Sequence, residues 1–129
     1  MKFKYSIFYV ENVKETKVFY NRAFGFETRF LHESGDFGEL DTGETSLSFS
    51  SVSLMKQLGK TPGKPDPSAP VFEIAFETDD VEGSLKKAID AGAVLVQDVR
   101  EEPWGQTTSY VSDPNGYLVE ICSPVKAGT

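Results

Sequence analysis

The chain repeats one pattern of local features in its two halves. Residues 7–26 and residues 74–93 each read as a short alternating strand, an acidic turn, an amphipathic helix and a glycine that ends the helix. The second copy begins about half of the 129-residue chain after the first. This spacing predicts a duplicated module, and two such modules make a pseudo-symmetric cleft in which we expect the function to reside.

Composition and charge limit the classes of function. The 129 residues, of which 39% are apolar, suffice for one soluble globular domain. The 20 acidic residues against 13 basic ones give a net charge of −7, which argues against nucleic acid binding because phosphates require a basic surface. The same charge either attracts a cationic ligand or simply keeps the protein soluble.

Export and membrane insertion are not predicted. No apolar run approaches the roughly 20 residues of a membrane span, and no apolar stretch follows the charged start as a signal peptide requires. Cys122 is the single cysteine, so an internal disulfide is impossible. We therefore expect a cytoplasmic protein that does not bind membranes.

The predicted elements give the order βαβββ in each half. In the first half the strands are predicted at residues 2–10, 26–32, 37–41 and 45–51, with a helix between Asn12 and Gly25 and a helical turn at 52–58. In the second half they are predicted at 70–78, 94–101, 106–111 and 117–122, with a helix that Asp79 or Asp80 caps and that runs to Ala91. The half-modules are thus about 1–58 and 70–124, and a proline-rich linker, 59–69, joins them.

Apolar residues on one side of each element predict the packing beneath the helices. In the first helix the predicted stripe is Val18, Phe19, Ala23 and Phe24. In the strands, Phe8, Val10, Phe72, Ile74 and Phe76 are predicted to be buried.

Two segments of the chain resemble a known superfamily. Residues 19–26, with the sequence FYNRAFGF, are similar to the "FY…LGF" segment of the vicinal oxygen chelate superfamily, and residues 112–121, SDPNGYLVEI, are similar to its "DPDGxxxE" ending. Glyoxalase I, extradiol dioxygenases and bleomycin resistance proteins belong to that superfamily. The resemblance implies a single α+β domain, 1–129, in which two βαβββ modules form a curved eight-stranded mixed sheet, a cup with helices on its convex side.

The resemblance also implies four metal-ligand positions, and this chain departs from the usual residues at two of them. Catalytic members hold one divalent metal with histidine, glutamate or glutamine, at positions that correspond to Tyr5, Ser48, Glu73 and Glu120. Only Glu73 and Glu120 are strong ligands, and the single histidine, His32, falls on another strand. We therefore predict no tightly bound metal and no other cofactor, with weakly bound Mg²⁺ or Mn²⁺ as the alternative.

Alternation along the strands predicts the side chains that line the cup. The predicted ligand-binding residues are Tyr5, Ile7, Tyr9, Ser48, Glu73, Trp104, Gln106, Thr108, Tyr110 and Glu120. Aromatic rings beside two carboxylates suit a planar or cationic ligand. Two alternatives stay open: solvent or Arg29 neutralises the carboxylates, and Trp104 packs at the rim or in a dimer contact.

These features lead to two functional hypotheses. The first is a small-molecule-binding protein that resembles glyoxalase and bleomycin resistance proteins, has a degenerate metal site and binds a compact cationic or aromatic ligand. Because family members commonly dimerise, the resemblance also implies a homodimer. The alternative is a lyase, isomerase or dioxygenase in which Glu73 or Glu120 is the general base, with or without Mg²⁺ or Mn²⁺. The sequence leaves open whether the chain is an enzyme, and a vestigial cup without a ligand is a third possibility.

Overall fold

The structure, a computed structural model, describes residues 1–125. It consists of two compact units: the first unit is Met1–Lys64, and the second unit begins at Pro65. The boundary between them lies inside the predicted linker, whereas the assignment of both to a single domain stays a prediction. None of the helices in residues 1–125 is long and apolar enough to cross a membrane.

The first unit contains one sheet and two helices. Its elements are β1 (Tyr5–Val10), α1 (Val13–Phe24), β2 (Glu27–Leu31), β3 (Phe37–Asp41), β4 (Ser46–Ser51) and α2 (Val52–Gln57). The strand order is β1-β4-β3-β2, in which β1 runs parallel to β4 and the other neighbours are antiparallel. The first and last strands of the module are therefore neighbours.

The second unit repeats this topology. Its elements are β5 (Ile74–Glu77), α3 (Val81–Asp90), β6 (Val94–Glu102), β7 (Gln106–Ser112) and β8 (Leu118–Cys122). The strand order is β5-β8-β7-β6, and β5 is parallel to β8. Within residues 1–125 the eight strands thus form two four-stranded mixed sheets, and the predicted α+β class with two βαβββ modules is confirmed.

Capping residues fix where the two long helices begin and end. The Asn12 side chain accepts a hydrogen bond from the Glu15 amide, and α1 ends at Gly25 with φ 77°, a left-handed conformation that suits glycine. Of the two candidate caps for α3, Asp80 is the one used, and its carboxylate accepts from the Gly83 amide at 3.0 Å. These caps were predictable because each depends on local sequence alone.

The turn between β7 and β8 is held by one buried carboxylate. Asp113 Oδ1 accepts hydrogen bonds at 2.9 Å from the amides of Asn115, Gly116 and Tyr117. Gly116 has φ 104°, and a Cβ atom placed there would lie 2.8 Å from the carbonyl oxygen of Pro65. Only glycine therefore allows this turn to pack against the start of the second unit.

The core of the first unit corrects the predicted stripe of α1. Phe19 and Ala23 are buried as predicted, but Val18 is 43% exposed because it lies on the opposite side of the helix. Its place is taken by Tyr20, which is fully buried and packs with its ring centroid 5.2 Å from that of Phe49 in β4. The stripe thus runs along a different face of the same helix.

Strand β5 starts later than predicted. Pairing with β8 begins only at Ile74, opposite Val119, so Glu73 precedes the strand. Phe72, predicted to be buried, is half exposed and packs edge-on against Tyr117 at 6.4 Å. The proline at 70 lacks an amide donor, which disfavours ladder pairing near this point.

Candidate functional site

The polar face of the second unit brings together three of the predicted residues. The Tyr110 hydroxyl in β7 donates a hydrogen bond of 2.9 Å to Oε2 of Glu73. Glu120 in β8 lies directly opposite Tyr110 in the antiparallel ladder, and it also lies opposite Ala75 of β5. We call Glu73, Tyr110 and Glu120 the phenol–carboxylate cluster.

Tyr110 is held in its neutral form in this cluster. Burial, the hydrogen bond to Glu73 and the charge of Glu120 together raise its pKa far above the ordinary value for tyrosine. Ionisation would place a third negative charge beside the two carboxylates. The O–H of Tyr110 is donated to Glu73, so the cluster offers a ligand the acceptor oxygens of its two carboxyl groups, which favours a positively charged partner.

Two further predicted residues form a pair at the end of the same strand face. Trp104, half exposed on the turn between β6 and β7, donates from Nε1 to Oε1 of Gln106 at 2.7 Å. The Gln106 amide nitrogen donates to the carbonyl oxygen of Ser123 at 2.9 Å. Gln106 is thus engaged at both ends, and its role in this arrangement is to hold the indole ring.

Thr108 is buried between these residues and the cluster. Its exposed fraction is 1%, and its hydroxyl accepts a hydrogen bond of 3.2 Å from the Gln97 amide of the neighbouring strand. Thr108 is therefore buried on β7 between Gln106 and Tyr110, which are both half-buried.

The first unit carries the remaining predicted residues on one face of its sheet. Tyr5 and Ile7 are 45% and 46% exposed, whereas Phe8 between Ile7 and Tyr9 is 1% exposed, so the predicted alternation holds in β1. Ile7 lies opposite Ser48 of β4. Lys60 Nζ lies 5.3 Å from the ring centroid of Tyr9 and donates to its hydroxyl at 3.0 Å.

Sequence reasoning missed Glu39 on this face and named Arg29 only as a partner for Glu73 and Glu120. Glu39 of β3 is only 8% exposed and lies opposite Ser48 in the ladder. Arg29 Nε lies 3.6 Å from Oε2 of Glu39, and Arg29 Nη2 donates to Asp41 at 2.8 Å. The hydrogen bond to Arg29 lowers the pKa of Asp41. Arg29 thus contacts carboxylates of its own unit.

Glu39 could have been found from the alternation of β3, but only with a known register. Phe37 lies opposite Ser50 and Glu39 opposite Ser48, which places Glu39 on the same face as the serines. The register of β3 against β4 is a pairing between separate strands, which no local pattern in the sequence specifies.

The donor set does not fit a tightly bound zinc, nickel or iron ion. Among the described residues, neither unit contains three or more histidine, cysteine, aspartate or glutamate side chains arranged to hold a metal. The residues that the resemblance assigns to the ligand positions of the first unit are Tyr5 and the buried Ser48, and a tyrosine and a serine are both poor ligands for these cations. No chemical step through a metal follows from these residues.

Cys122 lies on the polar face of the second unit, directly opposite Thr108 in the ladder, whereas His32 follows β2 in the first unit. Burial raises the pKa of the Cys122 thiol, which disfavours the reactive thiolate. His32 lies in a turn, where its Nδ1 contacts the Ser34 hydroxyl at 2.8 Å.

An open groove of about 520 Å³ lies on another part of the second unit, between α3 and β6. Its apolar lining consists of Leu85, Ile89, Leu95 and Val99, and its charged lining of Glu82, Lys86, Asp90 and Asp98. None of the predicted site residues is among them.

Comparison with known proteins identifies the family. Residues 3–126 match the glyoxalase-like domain, and the chain belongs to that family. A glyoxalase-related enzyme from Fulvimarina pelagi is similar in structure, with 18% sequence identity and a TM-score of 0.83 over 98% of this chain and 94% of that one. No curated protein matches the chain.

Two further solved structures have the same fold. A glyoxalase/bleomycin resistance protein/dioxygenase family enzyme from Burkholderia phytofirmans PsJN is 23% identical, with a TM-score of 0.78 over 98% of this chain and 100% of that one. A glyoxalase/bleomycin resistance protein/dioxygenase superfamily member from Sphaerobacter thermophilus DSM 20745 is 20% identical, with a TM-score of 0.74 over 96% of this chain and 98% of that one. At these identities the likeness shows the fold alone.

Proposed function

We propose that this glyoxalase-like protein binds a compact, cationic, aromatic small molecule without a tightly bound metal. The observation that carries the proposal is the phenol–carboxylate cluster, in which Tyr110 donates to Glu73 beside Glu120. Two carboxylates near one neutral phenol attract a cation. The half-exposed ring of Trp104, fixed through Gln106, supplies a surface for stacking or for a cation–π contact.

The acidic balance of the whole chain supports the same ligand class. A net charge of −7 creates a negative field that speeds the approach of a cation and slows that of an anion. This electrostatic field alone gives no specificity, however, because it attracts every cation. Specificity must come from the directed contacts of the cluster and from the aromatic ring.

A catalytic alternative is favoured by one feature of the same cluster. A general base such as Glu120 needs a partner that stabilises the anion formed on the substrate. The Tyr110 phenol, which stays protonated at neutral pH, is a neutral donor next to that base. In this lyase or isomerase hypothesis, Tyr110 would donate to the developing oxyanion while Glu120 takes the proton.

The test is a thermal-shift screen of cationic aromatic compounds, followed by calorimetric titration of the compounds that raise the melting temperature. Glu120→Gln is expected to weaken binding by about three- to tenfold, as the loss of a partly exposed charged contact should. Glu82→Gln on α3 is the matched control, because it removes the same charge from an exposed position of the second unit.

Three results separate the hypotheses. Equal weakening by Glu120→Gln and Glu82→Gln would contradict the proposal, since it would mean that net charge alone attracts the ligand. The absence of any stabilising compound would also count against it. Turnover of a bound compound that Glu120→Gln abolishes while leaving binding intact would establish the catalytic alternative.

A further inference from the structure

Two buried hydroxyl groups of the first unit lack hydrogen-bond partners. Ser46 and Ser48 of β4 are fully buried, and neither Oγ atom has a hydrogen-bond partner within the described residues. Leaving a buried hydroxyl unpaired is unfavourable, so native proteins satisfy nearly all of them. These two hydroxyls therefore mark a place where a polar group from outside the chain is expected.

A carboxylate lies beside them with an incomplete set of partners. Glu39 lies opposite Ser48 and is 8% exposed. Its contact to Arg29 Nε spans 3.6 Å, which is longer than a hydrogen bond, because the same guanidinium is drawn to Asp41 at 2.8 Å. A carboxylate removed from water is stable only when it is both paired and hydrogen-bonded.

The hydrogen-bond donors and acceptors of Glu39, Ser46 and Ser48 determine which ligand group fits beside them. Glu39 can only accept hydrogen bonds, and each serine hydroxyl can accept one as well as donate one. An anionic ligand would be repelled by Glu39, and a ligand hydroxyl brings one donor. A primary ammonium group brings three donors and a positive charge, which matches Glu39, Ser46 and Ser48 together.

We infer that Glu39, Ser46 and Ser48 bind the primary ammonium group of an amphipathic amine. The inference rests on the proposed function, because it specifies the chemistry of a cationic ligand. The serine–glutamate site, as we call these three residues, lies in the first unit.

The surroundings of the serine–glutamate site suit the apolar part of such an amine. Tyr5 lies opposite Ser46 and Ile7 opposite Ser48, and both side chains are almost half exposed. Exposed side chains change rotamer readily, so these two residues can admit a ligand to the serines and then cover its apolar body. The positively charged Nζ of Lys4 lies 5.8 Å from the Tyr5 ring centroid, at the edge of these two side chains.

The experiment compares two probes that share one apolar body. 2-Phenylethylammonium carries the amine, and 2-phenylethanol carries a hydroxyl in its place. Titration of the full chain at neutral pH, followed by amide NMR, should give about tenfold tighter binding of the ammonium probe. Glu39→Gln should remove this preference by weakening the ammonium probe about tenfold, with the alcohol unchanged.

Two other variants control for net charge and for folding. Glu44→Gln makes the same substitution at an exposed turn of the same unit and should change both affinities less than twofold. Ser48→Ala removes one unpaired hydroxyl, so the variant should fold at least as stably as wild type while binding the ammonium probe about threefold more weakly. Ser48→Ala thus keeps the test valid if Glu39→Gln fails to fold.

The results that would contradict this inference differ from those that would contradict the proposed function. The inference is overturned if wild type shows no preference for the ammonium probe, or if neither Glu39→Gln nor Ser48→Ala changes that preference, in which case water fills the site. If cationic compounds from the screen bind and respond to Glu120→Gln but not to Glu39→Gln, the proposed function stands and the serine–glutamate site does not. If no cationic compound binds, both fail.

Discussion

The two modules share one topology, but at an equivalent pair of positions on their polar faces the large side chain lies on different strands. In the first unit a large residue of the first strand lies opposite a small residue of the last strand, as Ile7 does opposite Ser48. In the second unit the first strand supplies the small residue, Ala75, and the last strand supplies the large one, Glu120. Paired positions are thus matched in combined size, while the chemistry moves from one strand to its neighbour. At this equivalent pair of positions the large side chain thus lies on the first strand of one module and on the last strand of the other.

The faces also differ in how completely their polar groups are paired. Tyr110 and Glu73 of the second unit satisfy each other with a hydrogen bond of 2.9 Å. Ser46 and Ser48 of the first unit are buried and unpaired within the described residues. Two polar groups of the second face thus satisfy each other, whereas two buried hydroxyl groups of the first face lack a partner.

The largest expected difference between the modules concerns their first strands. Phe8 of β1 is 1% exposed and packs near Phe49, whereas Phe76 of β5 is only half buried. We expect Phe8→Ala to lower the free energy of unfolding by about 3–5 kcal/mol and Phe76→Ala by about 1–2 kcal/mol. Urea unfolding of the two variants measures both values. Equal losses would show that β5 is packed as tightly as β1.

A smaller effect of opposite sign is expected on the two polar faces. Tyr110→Phe removes the phenol that donates to Glu73 and should lower the free energy of unfolding by about 0.5–1.5 kcal/mol. Ser48→Ala removes a buried hydroxyl without a partner and should leave stability unchanged or raise it by up to about 1 kcal/mol. Both variants are compared with wild type by urea unfolding in the absence of ligand. A loss of stability in Ser48→Ala would mean that its hydroxyl is satisfied in solution.

The smallest effect is a change in pH dependence. Because the pKa of Tyr110 is raised from the model-compound value of 10.0, the phenol of the folded chain stays protonated where an unfolded tyrosine ionises. The contribution of the Tyr110 phenol to the free energy of unfolding is therefore complete below about pH 10, and it is lost as the pH rises toward the pKa of the folded state. Wild type should lose stability more steeply than Tyr110→Phe above about pH 10.

The spectroscopic check for Tyr110 is its absorbance. Tyrosinate absorbs near the red edge of the tyrosine band, so the rise in absorbance between about pH 9 and about pH 11 counts the tyrosines that ionise. That rise should be the same in wild type and in Tyr110→Phe. A smaller rise in the variant would show that Tyr110 ionises freely and that its pairing with Glu73 is weak in solution.

Local signals account for the part of the fold that the sequence could predict. Asn12, Asp80 and Gly25 act through neighbours a few residues away, so capping rules alone locate the long helices. Alternation likewise separates exposed Tyr5 from buried Phe8 in β1. The resemblance to the family then implied a mixed sheet built from two modules, which no local rule contains.

The rest depends on contacts between distant segments. Tyr20 is buried rather than Val18 because the sheet, and not the helix, decides which face of α1 is covered. Glu39 escaped notice because its place beside Ser48 requires the register of β3 against β4. The bond between Tyr110 and Glu73 likewise joins residues from opposite ends of the second unit, and only the folded ladder brings them together.

The pairing of the first strand of each module with its last has a consequence for synthesis. The sheet of the first unit closes when Ser51 becomes available to β1, and all of its described strands come from residues 5–51. At about 5–20 residues per second, translation of the second unit takes several seconds more, which is time enough for a small domain to fold. All three residues of the serine–glutamate site are therefore translated before the first residue of the phenol–carboxylate cluster.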